Sequence, residues 1–232
     1  MKHILITISC LMLLLSLEAA AVFDLMSSPS LEQGAVVYKD RCVLCHGQKG
    51  DGDALLPSTL LYLDKPDLLH SRYSDNVNSL RYIIIWGGME NKMNIFSPPW
   101  GNTLTWAEVE SVILFIQYLR EHNTLAVKLL NNIVLTKSTD INTGKILFNH
   151  RCAICHHESG HGNGRIANAL KGPKPSDLSK SHLTDTALKQ IISKGGKSVS
   201  RSAGMPPWES ELSAKELESI VLYIKTFRAV TE

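Results

Sequence analysis

The sequence predicts an all-α protein built as two successive copies of one three-helix unit. Two observations lead there. Apolar residues recur at three- and four-residue intervals, as in Val109, Val112, Ile113, Ile116 and Leu119, the spacing of one buried helix face, and nothing reads as a sheet. The same landmarks also occur twice. Gly34 matches Gly144, Tyr38 matches Phe148, Gly87-Gly88 matches Gly195-Gly196, and Pro98-Pro99-Trp100 matches Pro206-Pro207-Trp208. Each half is then one supersecondary copy, near the lower end of domain size. A chain of 232 residues suits one or two domains.

Taken in order, the chain starts with Lys2, runs apolar from Ile4 to Leu17 and continues with Ala19-Ala20-Ala21. This is a charged n-region, a short apolar core and a small-residue cleavage site. Residues 1–21 are therefore expected to be a secretory signal peptide cut near Ala21; the apolar run is short for a membrane span. Cys10 is followed by more leucines and is not read as a lipid anchor. The first domain is expected over 27–122 and the second over 137–232. In each half the first helix starts at a capping residue, Ser30 or Asp140; Ser30-x-x-Gln33 has the form of a capping box. The second helix carries Leu80, Ile83 and Ile84, or Leu188, Ile191 and Ile192, and a Gly-Gly pair stops it. The third begins at Thr105-x-x-Glu108 or Ser213-x-x-Glu216. Its second-half stripe is Leu217, Ile220, Val221, Ile224 and Phe227. The interdomain linker, 123–136, holds Leu125, Val127, Leu129, Leu130, Ile133, Val134 and Leu135. That composition predicts a segment that packs between the domains, with an extension of the preceding helix as one form it can take, not a flexible spacer.

Each first helix ends on the stretch around which its half is organised: Cys42-Val43-Leu44-Cys45-His46 and Cys152-Ala153-Ile154-Cys155-His156. Two cysteines two residues apart, with histidine next, are the attachment signature of c-type haem. Each thiol adds to one vinyl group of the porphyrin, and one helical turn spaces the sulfurs for it. The histidine then lies under the ring and gives an imidazole nitrogen to iron. A zinc site would bring its Cys-x-x-Cys pairs close together, and a thioredoxin-like motif would follow a strand; neither matches. Of five cysteines, four are used here and the fifth is Cys10, so no thiol remains for a disulfide in the mature chain.

With these motifs in place, each half resembles a class I cytochrome c domain, and the whole resembles a diheme cytochrome c of two fused domains. The resemblance covers nearly all of the mature chain. It implies two covalently attached haem c groups, with Cys42, Cys45, Cys152 and Cys155 as attachment points and His46 and His156 as iron ligands. It also implies that the first and last helices of a half cross where a glycine meets an aromatic. Gly34 with Phe115 and Gly144 with Tyr223 match that pattern. Trp100 and Trp208 are expected at the haem edge. A backbone carbonyl near Pro57 or Pro66, and near Pro173 or Pro175, is expected to accept from histidine Nδ1. Haem attachment outside the cytoplasm agrees with export, and the expected location is a bacterial periplasm.

The family places a methionine sulfur on the other side of the iron, which raises the potential. Met205, stiffened by Pro206-Pro207, takes that role in the second half. The first half departs from the pattern: Ser97 stands opposite Met205. Met93, in the same loop, is the preferred ligand there. Met89, His70 and an open position remain as alternatives, and an open iron would allow small-molecule binding. His157 and His161 are read as solvated loop residues.

Charge divides unevenly. Residues 27–122 hold 8 Lys/Arg against 11 Asp/Glu, net −3, and residues 137–232 hold 14 against 9, net +5. Lys194, Lys197 and Arg201 precede Met205 and suggest a docking face for an acidic redox protein on the second domain. No acid, base and nucleophile constellation stands out, and nucleic acid is not an expected partner. Membrane contact is expected only if the leading segment is retained. The function expected is single-electron transfer between redox proteins; the alternative is an enzyme, or the haem subunit of one, with an open first iron and peroxidase-like or nitrogen-oxide chemistry.

Overall fold

The computed structural model describes residues 28–56, 65–90, 96–133 and 138–228. The leading segment with its expected signal peptide lies outside them, as do Pro57, Met93, Val134 and Leu135. The described residues are helical, with no strand among them.

The first half contains α1 (Leu31–Arg41), the one-turn α2 (Val43–His46), α3 (Val77–Glu90) and α4 (Trp106–Glu121). α5 (Asn123–Asn132) follows, and the second half repeats the order with α6 (Ile141–Arg151), α7 (Ala153–His156), α8 (Asp185–Lys194) and α9 (Ala214–Lys225). The capping chemistry read from the sequence sets the starts of α4 and α9. Thr105 and Ser213 each accept from the backbone N–H three residues on, while Glu108 and Glu216 reach back to the cap N–H. At α1 only half of the expected box forms. Ser30 Oγ accepts from Gln33 N at 3.1 Å, but the Ser30 N–H donates to Ser111 Oγ, whose hydroxyl donates to Gln33 Oε1 at 2.9 Å. A hydroxyl from α4 thus takes the place of the glutamine, and the helix start is fastened to its crossing partner.

That crossing organises each half. A Cβ added to Gly34 would stand 1.9 Å from Ser111 O and 2.9 Å from Phe115 Cβ; at Gly144 the same atom would stand 1.9 Å from Ser219 O and 3.0 Å from Tyr223 Cβ. Only glycine lets the backbones approach so closely. Around the crossing lie the two cores. Tyr38, Val109, Val112, Ile113, Phe115 and Leu119 are buried in the first, and Leu147, Phe148, Leu188, Ile220, Val221 and Ile224 in the second. The stripes predicted for the last helices therefore do face inward. Gly87 (φ +76°) and Gly195 (φ +77°) break the second helix of each half, a left-handed backbone that favours glycine.

α5 leaves α4 at His122, whose non-helical backbone (φ −131°, ψ 47°) ends the first helix. It turns back onto the first half: Ala126 and Leu130 are buried in that core, and Lys39 Nζ donates to the carbonyls of Leu130 and Ile133 at 3.0 and 2.8 Å.

The halves meet through α1 and α6. Asp40 Oδ2 pairs with His150 Nδ1 at 2.5 Å, Asp40 Oδ1 lies 3.5 Å from Arg151 Nε, and Arg41 Nε adds a contact at 3.0 Å. Gln48 Nε2 donates to Glu211 Oε1 at 2.6 Å. Burial by itself would raise the Asp40 carboxyl, but the His150 hydrogen bond and the Arg151 and Arg41 charges hold it below its ordinary value. Arg151 is 2% exposed and keeps a buried charge beside it. Asp40→Asn should therefore lower unfolding stability by roughly 3 kcal/mol at neutral pH, the scale for breaking a buried pair. Because the folded carboxyl is depressed, its contribution is present above the ordinary value of 3.8 and is lost as pH falls through the folded value. Urea unfolding across that window should show the two proteins converging as pH drops; a constant gap would remove Asp40 from this role.

Candidate haem sites

The cysteine-bearing turns are extensions of the crossing helices. α1 ends at Arg41, Cys42 caps it with its N–H bonded to Tyr38 O, and α2 follows at once. α6, Cys152 and α7 repeat this with Phe148 O. Burial pushes the thiols of Cys42, Cys152 and Cys155 up to about 12 and that of Cys45 up to about 11. All four cysteines are free. No group of three or more His, Cys, Asp or Glu side chains able to hold a metal occurs among the described residues, so the two Cys-x-x-Cys pairs do not combine into a zinc-type cluster.

The histidines are prepared in the same way in both halves. His46 Nδ1 lies 2.7 Å from Pro66 O, and His156 Nδ1 lies 3.2 Å from Ser176 O. Each carbonyl sits twenty residues beyond its histidine and can only accept, so Nδ1 carries the proton and Nε2 presents its lone pair. Burial lowers the pKa of both imidazoles, outweighing the opposing effect of these hydrogen bonds, and the neutral ring is the ligating form. Sequence reasoning reached the region of the carbonyl but not the atom: in the second half it belongs to the residue after Pro175.

The second half encloses a cavity of about 650 Å³ whose wall includes Cys152, Cys155, His156, Met205 and Trp208. Met205 is held by its backbone: its carbonyl accepts from Gly196 N at 2.9 Å, and Trp208 N donates to Ile192 O at 3.0 Å. The first half repeats these two bonds with Ser97. Gly88 N donates to Ser97 O at 3.0 Å and Trp100 N to Ile84 O at 2.8 Å. Ser97 therefore occupies the backbone position of Met205, as the alignment of the two halves required. Met93 lies outside the described residues. Met89 falls on the last turn of α3, beyond the break at Gly87. His70 is at the surface, 82% exposed, with Nδ1 2.8 Å from Asp67 Oδ2.

The remaining predicted residues divide. Trp208 is buried and Trp100 half-buried, with Arg151 over the first ring at 6.0 Å and Arg41 over the second at 5.1 Å; the sequence reading missed these arginines. His157 and His161 are exposed and bonded to Ser159 and Asp177. Lys194 is paired with Glu209, which removes part of the charge expected near Met205, while Lys197 and Arg201 are exposed.

A pair of neutral thiols, an imidazole with its free nitrogen presented and a thioether on one apolar cavity fit a covalently bound haem. Comparisons with known proteins agree. Residues 31–120 match the family described as Cytochrome c, and residues 139–224 match Cytochrome C oxidase, cbb3-type, subunit III. The cbb3-type cytochrome c oxidase subunit FixP of Bradyrhizobium diazoefficiens is 23% identical over 90% of this chain and 67% of its own length. FixP of Azorhizobium caulinodans is 24% identical over 88% of this chain and 63% of its own. The chain thus spans about two thirds of the length of these curated relatives. A chain of the Kuenenia stuttgartiensis reducing HAO-like protein complex Kustc0457/Kustc0458 aligns over 88% of this chain and all of its own at 22% identity, but with a TM-score of 0.33, too low to carry an argument. The protein is a c-type cytochrome of two all-α domains that works in electron transfer. It belongs among the diheme class I cytochromes c, with two covalently bound haem c groups.

Proposed function

We propose that the chain is an exported carrier that passes single electrons between redox proteins, with Cys42 and Cys45 holding one haem and Cys152 and Cys155 the other. His46 and His156 serve as proximal ligands, and Met205 as the distal ligand of the second. The observation that carries this reading is a cavity whose wall gathers Cys152, Cys155, His156 and Met205. Bound iron supplies a one-electron couple between ferric and ferrous states. The protein's part is to hold the group, fix the proton of each imidazole on Nδ1 through the Pro66 or Ser176 carbonyl while burial keeps the ring neutral, and surround the porphyrin with apolar side chains that set the potential. The relatives' names point to an oxidase-type complex as the place where such electrons are delivered. Lys197 and Arg201, exposed beside the cavity, suit an acidic partner surface. A leading segment with the form of a signal peptide supports a periplasmic location; among the described residues no helix is long and apolar enough to cross a membrane.

Ser97 at the Met205 position favours a second reading for the first haem alone, in which its distal side is open and binds small molecules. Met93 is the proposed ligand that closes it. Mass spectrometry of the exported protein should show two haem additions on one chain, and ferrous protein should bind little carbon monoxide. Met93→Ala should then free one iron per chain to bind it, while Met89→Ala should not. Stoichiometric binding by the unmodified protein at one haem would instead favour the open site, and a single haem addition would end the diheme carrier reading.

A further inference from the structure

Leu44 is enclosed between Cys42 and Cys45 in the first attachment segment, yet it packs against the core of the second half and lines the second half's cavity together with Leu56. Leu56 and Ile166, 2% and 1% exposed, form the buried centre of a third apolar cluster in which Leu44, Cys45, Ile154 and Cys155 surround them. The two sides mirror one another. Leu56 N donates to Leu44 O at 3.0 Å, and Ile166 N donates to Ile154 O at 3.1 Å. The other enclosed residue of each motif turns the opposite way: Val43 is buried in the core of the first half and Ala153 packs on that of the second. Within each Cys-x-x-Cys-His the first enclosed residue serves its own half and the second serves the junction.

We propose that Leu44, Leu56, Ile154 and Ile166 form one wall shared by the two haem sites, and that Leu44 and Leu56, carried by the first half, help set the potential of the second haem. The proposal rests on the diheme reading above. An apolar shell disfavours the more highly charged ferric form, so a wall that excludes water raises the potential of the group it covers. The attachment segment of one haem is then part of the environment of the other. Substitution inside the first motif should be felt mainly at the second iron.

NMR of the full diheme protein tests this without relying on any assignment of Met205. Haem methyl resonances are assigned to a half by nuclear Overhauser contacts with that half's own core, such as Ile224 for the second. In the unmodified ferrous protein the Leu44 methyls should show contacts with the second haem; their absence would overturn the proposal even if no variant folds. In Leu44→Gln, followed through an NMR-monitored redox titration, the reduced-to-oxidised ratio of the second haem at a fixed potential should fall about tenfold, or about 59 mV for one electron. The first haem should shift by less than a third of that. A shift confined to the first haem, or none at either, would refute the shared wall. A haem assay showing fewer than two haems per chain in the unmodified protein would instead point to failure of the underlying reading.

Discussion

Met205→Ala is expected to convert one of the two haems from a closed to an open site while leaving the other unchanged. The expectation follows from how the loop is held. Gly195 adopts φ +77°, Met205 O accepts from Gly196 N, and Trp208 N is tied to Ile192 O. These are backbone bonds, so removing the thioether leaves the loop path in place and subtracts only the sulfur. The ferric charge-transfer band that reports sulfur–iron bonding should lose the second haem's share. Ferrous protein should gain one carbon monoxide site per chain. Because a thioether opposite histidine raises the potential, the midpoint of that haem should fall by more than the roughly 59 mV that corresponds to a tenfold change in a one-electron couple. Optical titration of the purified variant reads all three effects, and an unaltered spectrum would remove Met205 from the iron.

Gly144→Ala should be the most damaging single methyl in the second half. The added carbon would meet Ser219 O at 1.9 Å and Ser219 C at 2.5 Å. These are backbone atoms of α9, so no side-chain rotation relieves the contact. The crossing of α6 and α9 must widen, and with it the packing of Phe148 against Tyr223 and Phe227, whose rings lie 5.5 and 5.1 Å away. Overpacking costs typically about 1–3 kcal/mol and more where nothing can shift; a loss above about 3 kcal/mol is expected. Domains hold only about 5–15 kcal/mol in total, so the yield of haem-loaded protein should drop as well. Gly204→Ala is the comparison, since its nearest neighbour is the Ser202 side-chain oxygen at 3.2 Å. Its thermal midpoint should move little. Equal midpoints for Gly144→Ala and the unmodified protein would show that the crossing is not as tight as described.

Much of this molecule is determined by the sequence alone, because its rules are local. A serine or threonine three residues before a glutamate starts α4 and α9; a stripe at helical spacing turns Val109, Val112, Ile113, Ile116 and Leu119 inward; a Cys-x-x-Cys-His turn announces haem attachment. The pairing of the halves even places Ser97 where Met205 stands, since equal loop lengths between the same glycines and tryptophans leave no other register. Tertiary structure decided what depends on surfaces distant in sequence. The fold, not the motif, selects Pro66 and Ser176 as the carbonyls behind the histidines. Ser111 displaces Gln33 from its box because α4 crosses α1 at that point. α5 folds back on the first core instead of standing between the halves, because Ala126 and Leu130 find their apolar surface there. Asp40 finds His150 and Arg151 across 110 residues and more of chain, and Leu44 leaves its own half to line the other's cavity. No periodicity carries those choices: which apolar residue of a motif faces its own core and which faces a neighbour is settled only when two folded surfaces meet and exclude water between them.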